Sequence, residues 1–131
     1  MSTLLWTVAL ACVVPYVAST AQTAGKVKEH GNYDNAAPRE QTARLVGFGK
    51  RAAWAQANTW ESLTIFVAAA LTCHMVGADS PAAGGLGVTW LVLRLGYIAA
   101  YIADIAPIRS LLWLASLLCS AALFGLAAAV G

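Results

Sequence analysis

Residues 110–131 read SLLWLASLLCSAALFGLAAAVG, an unbroken apolar run without one charged side chain. An α-helix rises 1.5 Å per residue, so roughly 20 such residues cross the ~30 Å hydrocarbon core of a bilayer. The rest of the chain has the same character. Of 131 residues, 60% are hydrophobic and 11% charged, against about 45–50% and 25% in an ordinary soluble domain. A single small domain leaves too much of its surface exposed to hide that much apolar area from water, so lipid must cover part of it. A mean hydropathy of +0.67 excludes intrinsic disorder. The net charge of +2 is too small for a nucleic-acid binder, which must neutralise several phosphates.

Three further spans are read outward from that run. The third covers about 86–105, with Arg94 inside it, and reaches the terminal span at 110–130 through a tight connection holding Pro107 and Arg109. The second covers 52–78 with Glu61 as its only formal charge, and Asp79-Ser-Pro-Ala-Ala-Gly-Gly85 supplies the turn after it. The first covers 3–24 and carries Pro15, placed to kink it. No Lys or Arg precedes its apolar stretch, so it reads as a retained helix rather than a cleaved leader.

Between the first two spans, residues 25–51 hold six of the eight basic side chains: Lys26, Lys28, Arg39, Arg44, Lys50 and Arg51. Basic loops stay in the cytoplasm, which puts this loop and Arg109 there and both termini on the opposite side. The expected fold is therefore all-α, with residues 1–131 forming one integral membrane domain, an up-and-down four-helix bundle. Cys12, Cys73 and Cys119 are too scattered for a metal or redox motif, and His74 stands alone in an apolar run, so no metal site is expected. On the fourth span, Ala121, Gly125 and Ala129 form a row of small residues suited to a close helix contact within or between subunits.

Ionisable groups inside a span each cost about 2.5–3.5 kcal/mol on insertion scales, so their arrangement is informative. Arg51, Trp54, Asn58 and Glu61 recur at offsets of three and four, which aligns them on one helix face. Trp90, Arg94, Tyr97, Tyr101 and Asp104 repeat the spacing on the next span. Glu61 and Arg94 sit at matching depth, roughly 15 Å from the basic side, and are expected to pair. The two stripes then line a polar cleft opening toward the cytoplasm.

Guanidinium groups bind carboxylates in a bidentate fashion, Glu61 can accept an ammonium, and the tyrosines donate hydrogen bonds, a set suited to a small zwitterionic peptide. Arg109, at the mouth, could lower the pKa of a thiol from its usual value near 8.5 and so generate a thiolate. A proton-coupled exporter of similar length would instead place its acid in the first span.

These residues resemble a family of membrane-associated proteins in eicosanoid and glutathione metabolism, the MAPEG family, and specifically a prokaryotic member. The resemblance rests on Asp34-Asn-Ala-Ala-Pro-Arg39, on Arg51-Ala-Ala-Trp-Ala-Gln-Ala-Asn58-Thr-Trp-Glu61 and on Arg94-Leu-Gly-Tyr97-Ile-Ala-Ala-Tyr101 running on to Arg109. It implies a homotrimer with glutathione bound between subunits near the cytoplasmic face; the helical spans point to a bacterial inner membrane, since bacterial outer-membrane proteins are typically barrels. Arg51, Asn58, Glu61, Arg94, Tyr97 and Tyr101 would hold glutathione, and Arg109 would stabilise its thiolate as the catalytic residue. The implied activity is a glutathione transferase or peroxidase acting on lipophilic electrophiles. One branch of the family is noncatalytic, so a lipid-binding or scaffold protein of the same fold is the alternative. Trp54, where eukaryotic enzymes usually carry an arginine, favours that alternative.

Overall fold

The computed structural model describes residues 1–130, and they form six helices and no strand. The first apolar run is split into α1 (Thr3–Ala11) and α2 (Val14–His30). Pro15 causes the split four residues ahead of itself, because its ring clashes with the carbonyl of Ala11 and it offers no N–H in return. A tight turn bridges the gap, with Val13 N–H donating to Leu10 O and Tyr16 N–H to Val13 O, both at 3.0 Å.

The helix does not stop near residue 24. No proline or positive-φ glycine intervenes before Gly31, and Lys28 and His30 complement the negative end of the helix dipole. Gly31, at φ 79°, then closes α2 in the left-handed conformation that suits glycine.

The segment expected as a loop at 25–51 is therefore shorter and more ordered. Its middle is the short helix α3 (Pro38–Ala43), and α4 (Gly47–Met75) already begins at residue 47. Asp34 Oδ1 accepts from the backbone N–H groups of Ala36 and Ala37 and so shapes the turn into α3. Buried Gln41 donates to Asn32 O and accepts from Asp34 N–H. Glu29 accepts from Val46 N–H at 2.8 Å and ties the end of α2 to the start of α4. At that junction the two helices touch backbone to backbone, since a Cβ on Gly25 would lie 2.6 Å from Gly49 Cα.

Gly77, at φ 77°, ends α4 with paired bonds from Ala78 N–H to Cys73 O and from Gly77 N–H to His74 O. Helix α5 (Pro81–Ile102) starts on the Ser80 cap, whose hydroxyl accepts from Ala83 N–H. Its far end repeats the closing motif with Asp104 in the left-handed position at φ 63°, a place usually given to glycine. Helix α6 (Ala106–Val130) begins earlier than the expected residue 110, because Pro107 fits the first turn of a helix, where its missing N–H has no partner to lose.

Among the described residues three helices are long and apolar enough to cross a membrane: Thr3–His30 taken through its break, Pro81–Ile102 and Ala106–Val130. Four spans are expected from the sequence. Helix α4 matches them in length, but Lys50, Arg51, Asn58, Thr59, Glu61 and Thr64 punctuate its apolar run. It packs against α2, α5 and α6, while α5 also packs on α1 and α6.

The core lies where these helices meet, around the stacked rings of Phe66 and Trp90, 4.3 Å apart, with Leu4, Leu63, Cys73 and Leu123. A second cluster of Val14, Ala18, Ala55, Tyr97 and Ile98 lies toward the loop end. Ala121, Gly125 and Ala129 are exposed, and among the described residues nothing lies within 4 Å of a Cβ built on Gly125. Among the described residues the small-residue row makes no close helix contact within the chain.

Candidate functional site

The two polar stripes face each other across the α4–α5 contact, and Arg94 is their centre. Its side chain is fully buried, and its Nη2 donates to Asn58 Oδ1 and to Thr59 Oγ1, each at 3.0 Å. Asn58 passes the connection on, its Nδ2 donating to Glu61 at 3.3 Å. The expected Arg94–Glu61 ion pair is thus replaced by a relay. Among the described residues no carboxylate lies within 4 Å of Arg94. The reason is helical geometry: Asn58 and Thr59 turn toward α5, whereas Glu61 lies farther round α4 and is exposed.

Aromatic rings carry the site toward the loop end. The Arg94 guanidinium lies 4.1 Å from the Tyr97 ring centroid, and Tyr97 meets Tyr101 edge to face at 5.6 Å. Half-buried Arg109 lies over the Tyr101 ring at 4.5 Å. Trp54 tilts against Tyr101 at 6.4 Å, with Lys50 Nζ 5.4 Å from its centroid. Three successive rings, Trp54, Tyr101 and Tyr97, therefore link the cations Lys50, Arg109 and Arg94 from the rim to the interior. Such contacts are worth about 0.5–1 kcal/mol where exposed and about 2 or more where desolvated. Water exclusion strengthens the inner end.

Arg51 belongs to the same helix face but is engaged elsewhere. Its Nε donates to Ile102 O at 3.0 Å, and its Nη1 lies 3.8 Å from Asp104. It thereby caps the last carbonyls of α5 and holds the turn that leads to Arg109. Asn58 and Glu61 open onto a cavity of about 180 Å³ shared with Ser62, Ile65, Trp113 and Leu117, so one edge of the site is formed by α6.

Of the seven residues singled out from sequence, Asn58, Glu61, Arg94, Tyr97, Tyr101 and Arg109 form one connected group, with Arg51 at its border. Thr59 and Trp113 were missed. Thr59 lies one position off the stripe, and its only signal was adjacency to Asn58. Trp113 reads in sequence as an interface anchor. Among the described residues no group of three or more His, Cys, Asp and Glu side chains is placed to hold a metal.

Guanidinium groups, amide, carboxylate and phenols in one connected set suit a ligand with both anionic and cationic ends. Curated proteins and solved structures gave no match to the chain. The family model for MAPEG matches residues 3–129, which takes in all of these side chains. The apolar helices, the Asn58–Glu61 and Arg94–Tyr97–Tyr101 stripes and that match agree: the chain is an integral membrane protein and belongs to the MAPEG family.

Proposed function

We propose that this protein is a membrane-embedded transferase or peroxidase that joins glutathione, or a related thiol, to chemistry on lipophilic electrophiles. The observation that carries the reading is the convergence of Arg109, stacked on Tyr101, with the Arg94–Asn58–Glu61 relay one to two turns deeper. Asn58 and Glu61 hold the ammonium-bearing end of the peptide, with Tyr97 and Tyr101 beside them. Arg94, fully enclosed, supports Asn58 from behind. Arg51 adds positive charge at the border for a carboxylate. Arg109 favours the thiolate over the thiol, and the thiolate attacks the electrophilic atom of a substrate arriving from the lipid. In a conjugation the sulfur–carbon bond forms as the leaving group departs with its electron pair.

The exposed position of Glu61 supports a site between subunits. A carboxylate turned outward from a membrane helix costs several kcal/mol unless something polar covers it, and a neighbouring subunit does so in a homotrimer. Helix α4 is then the fourth span, inward facing and more polar because it is not bathed in lipid. The basic side chains of residues 26–51, with Arg109, support an orientation with this end in the cytoplasm and both termini on the other side, in the proposed setting of a bacterial inner membrane.

Calorimetric titration of the detergent-purified protein with glutathione tests the reading, together with assay of a lipophilic electrophile. Binding and thiol-dependent turnover are expected. Lipid binding without any thiol dependence would instead favour a noncatalytic lipid-binding protein, the reading to which the exposed rim residue Trp54 points.

A further inference from the structure

We propose that Thr59 is a positioning residue: through Arg94 it fixes which way the Asn58 amide faces, and thereby the hydrogen-bond polarity of the thiol site. The inference rests on the thiol-binding reading for its consequences and on side-chain chemistry for its geometry. Arginine can only donate. The Asn58 atom that meets Arg94 Nη2 is therefore the carbonyl oxygen, which leaves the amide nitrogen for Glu61. This orientation persists only while Nη2 stays where it is.

Thr59 is what keeps it there. Its hydroxyl proton is committed to Ala55 O at 2.7 Å, so toward Arg94 its oxygen acts as an acceptor alone. The side chain is fully buried, so water does not compete for that lone pair. Among the described residues Arg94 Nε and Nη1 have no hydrogen-bond partner, and Nη2 alone makes the bonds to Asn58 and Thr59. Removing one of its two acceptors frees the guanidinium to rotate over the Tyr97 ring, 4.1 Å away. The Asn58 oxygen is then held inward only by a donor that is itself no longer fixed.

The test compares Thr59→Val, which keeps the branched shape and removes the acceptor, with Thr59→Ser, which keeps the acceptor. The full-length protein in detergent is titrated with glutathione and assayed, and the Asn58 side-chain amide is followed by NMR. The expected result for Thr59→Val is about tenfold weaker glutathione binding and a raised KM with kcat little changed, the size of one lost hydrogen bond to a charged group. Its Asn58 amide resonance shifts and loses protection from exchange, and Thr59→Ser restores all of these. If Thr59→Val does not fold, Thr59→Cys takes its place with the same expectation, because a thiol is a weak acceptor. Wild-type binding together with an unmoved Asn58 amide overturns the inference. If the unaltered protein binds no glutathione, the thiol reading fails, and the Asn58 amide alone then decides this one.

Discussion

Glu61 and Arg94 lie level on facing helices without touching. Asn58 stands between them, taking a hydrogen bond from Arg94 at 3.0 Å and giving one to Glu61 at 3.3 Å. A direct pair would have neutralised both charges and left little for a ligand. The relay instead keeps the guanidinium enclosed and the carboxylate at the surface, joined by a neutral amide whose direction is set. Arg94→Lys tests it, because an ammonium cannot reproduce a planar fork that meets two acceptors. The expected loss is about 1–3 kcal/mol of stability, read as a fall in the thermal midpoint, with weaker glutathione binding. Full retention of both would show that the fork is not needed.

Arg109 is placed differently, half-buried over the Tyr101 ring with no carboxylate within 4 Å among the described residues. Its charge is therefore available to a developing thiolate. Arg109→Ala should lower turnover by about 10²–10³, the usual effect of removing one group that stabilises transition-state charge, while weakening thiol binding only modestly. Thiolate absorbance in the ultraviolet should fall with it. Unchanged turnover would remove Arg109 from the chemistry.

Helix packing gives a prediction independent of function. A Cβ on Gly25 would meet Gly49 Cα at 2.6 Å, a backbone atom that cannot swing aside. Gly25→Ala should therefore cost about 1–3 kcal/mol as α2 and α4 are forced apart. Gly125→Ala, with nothing within 4 Å, should gain up to about 1 kcal/mol in helix propensity within the subunit. Thermal unfolding of the two variants side by side reads the contrast. Equal effects would contradict the close crossing of α2 and α4.

Much of this was legible in the sequence, and the parts that were not have physical reasons. The facing stripes are a matter of helical period, which sequence displays directly. The break near Pro15 was also visible, but its position at Cys12–Val13 follows from the clash with a carbonyl four residues back. The end of α2 and the start of α4 extend beyond the expected 24 and 52 because lysines and arginines read as loop in sequence, although basic residues are welcome in a helix's last turn and in a span's interfacial turns. Thr59 escaped because its neighbours along the chain, not its spacing, explain what it does. The outward aspect of Glu61 depends on how α4 rotates against α5, which the packing around Phe66, Trp90 and Arg94 decides.

The far end of the subunit predicts a pH dependence. Asp79 follows α4, where the Ser2 hydroxyl and His74, whose Nδ1 lies 2.9 Å from Asp79 Oδ2, hold its carboxyl below the ordinary value of 3.8 against an opposing effect of burial. A carboxyl with a depressed pKa in the folded state stabilises the fold above the unfolded value, and that contribution is lost as pH falls through the folded one. The Asp79 contribution should therefore be present above about pH 4 and decline as pH falls below it. Asp79→Asn should be less stable at neutral pH and show a shallower acid decline. A decline identical in both proteins would place its origin elsewhere.

Trp54 offers the sharpest test of which ligand the site prefers. It lies one turn ahead of Asn58, half exposed, with its ring against Tyr101 and Lys50 Nζ over it. In that position it gives the rim an apolar face and holds the nearest ammonium 5.4 Å away over a ring, where it is a poor partner for a carboxylate. Trp54→Arg replaces the ring with a fork able to grip a carboxylate in two places, at the cost of the Tyr101 contact and of repulsion from Lys50. Because a charge-assisted bond exceeds either loss, glutathione should bind several-fold tighter, and the gain should shrink at high salt as the new charge is screened. Calorimetry at two ionic strengths measures both. Weaker or unchanged binding would mean that the carboxylates of the ligand do not lie at this rim, and the orientation assigned to the thiol in the site would have to be reversed.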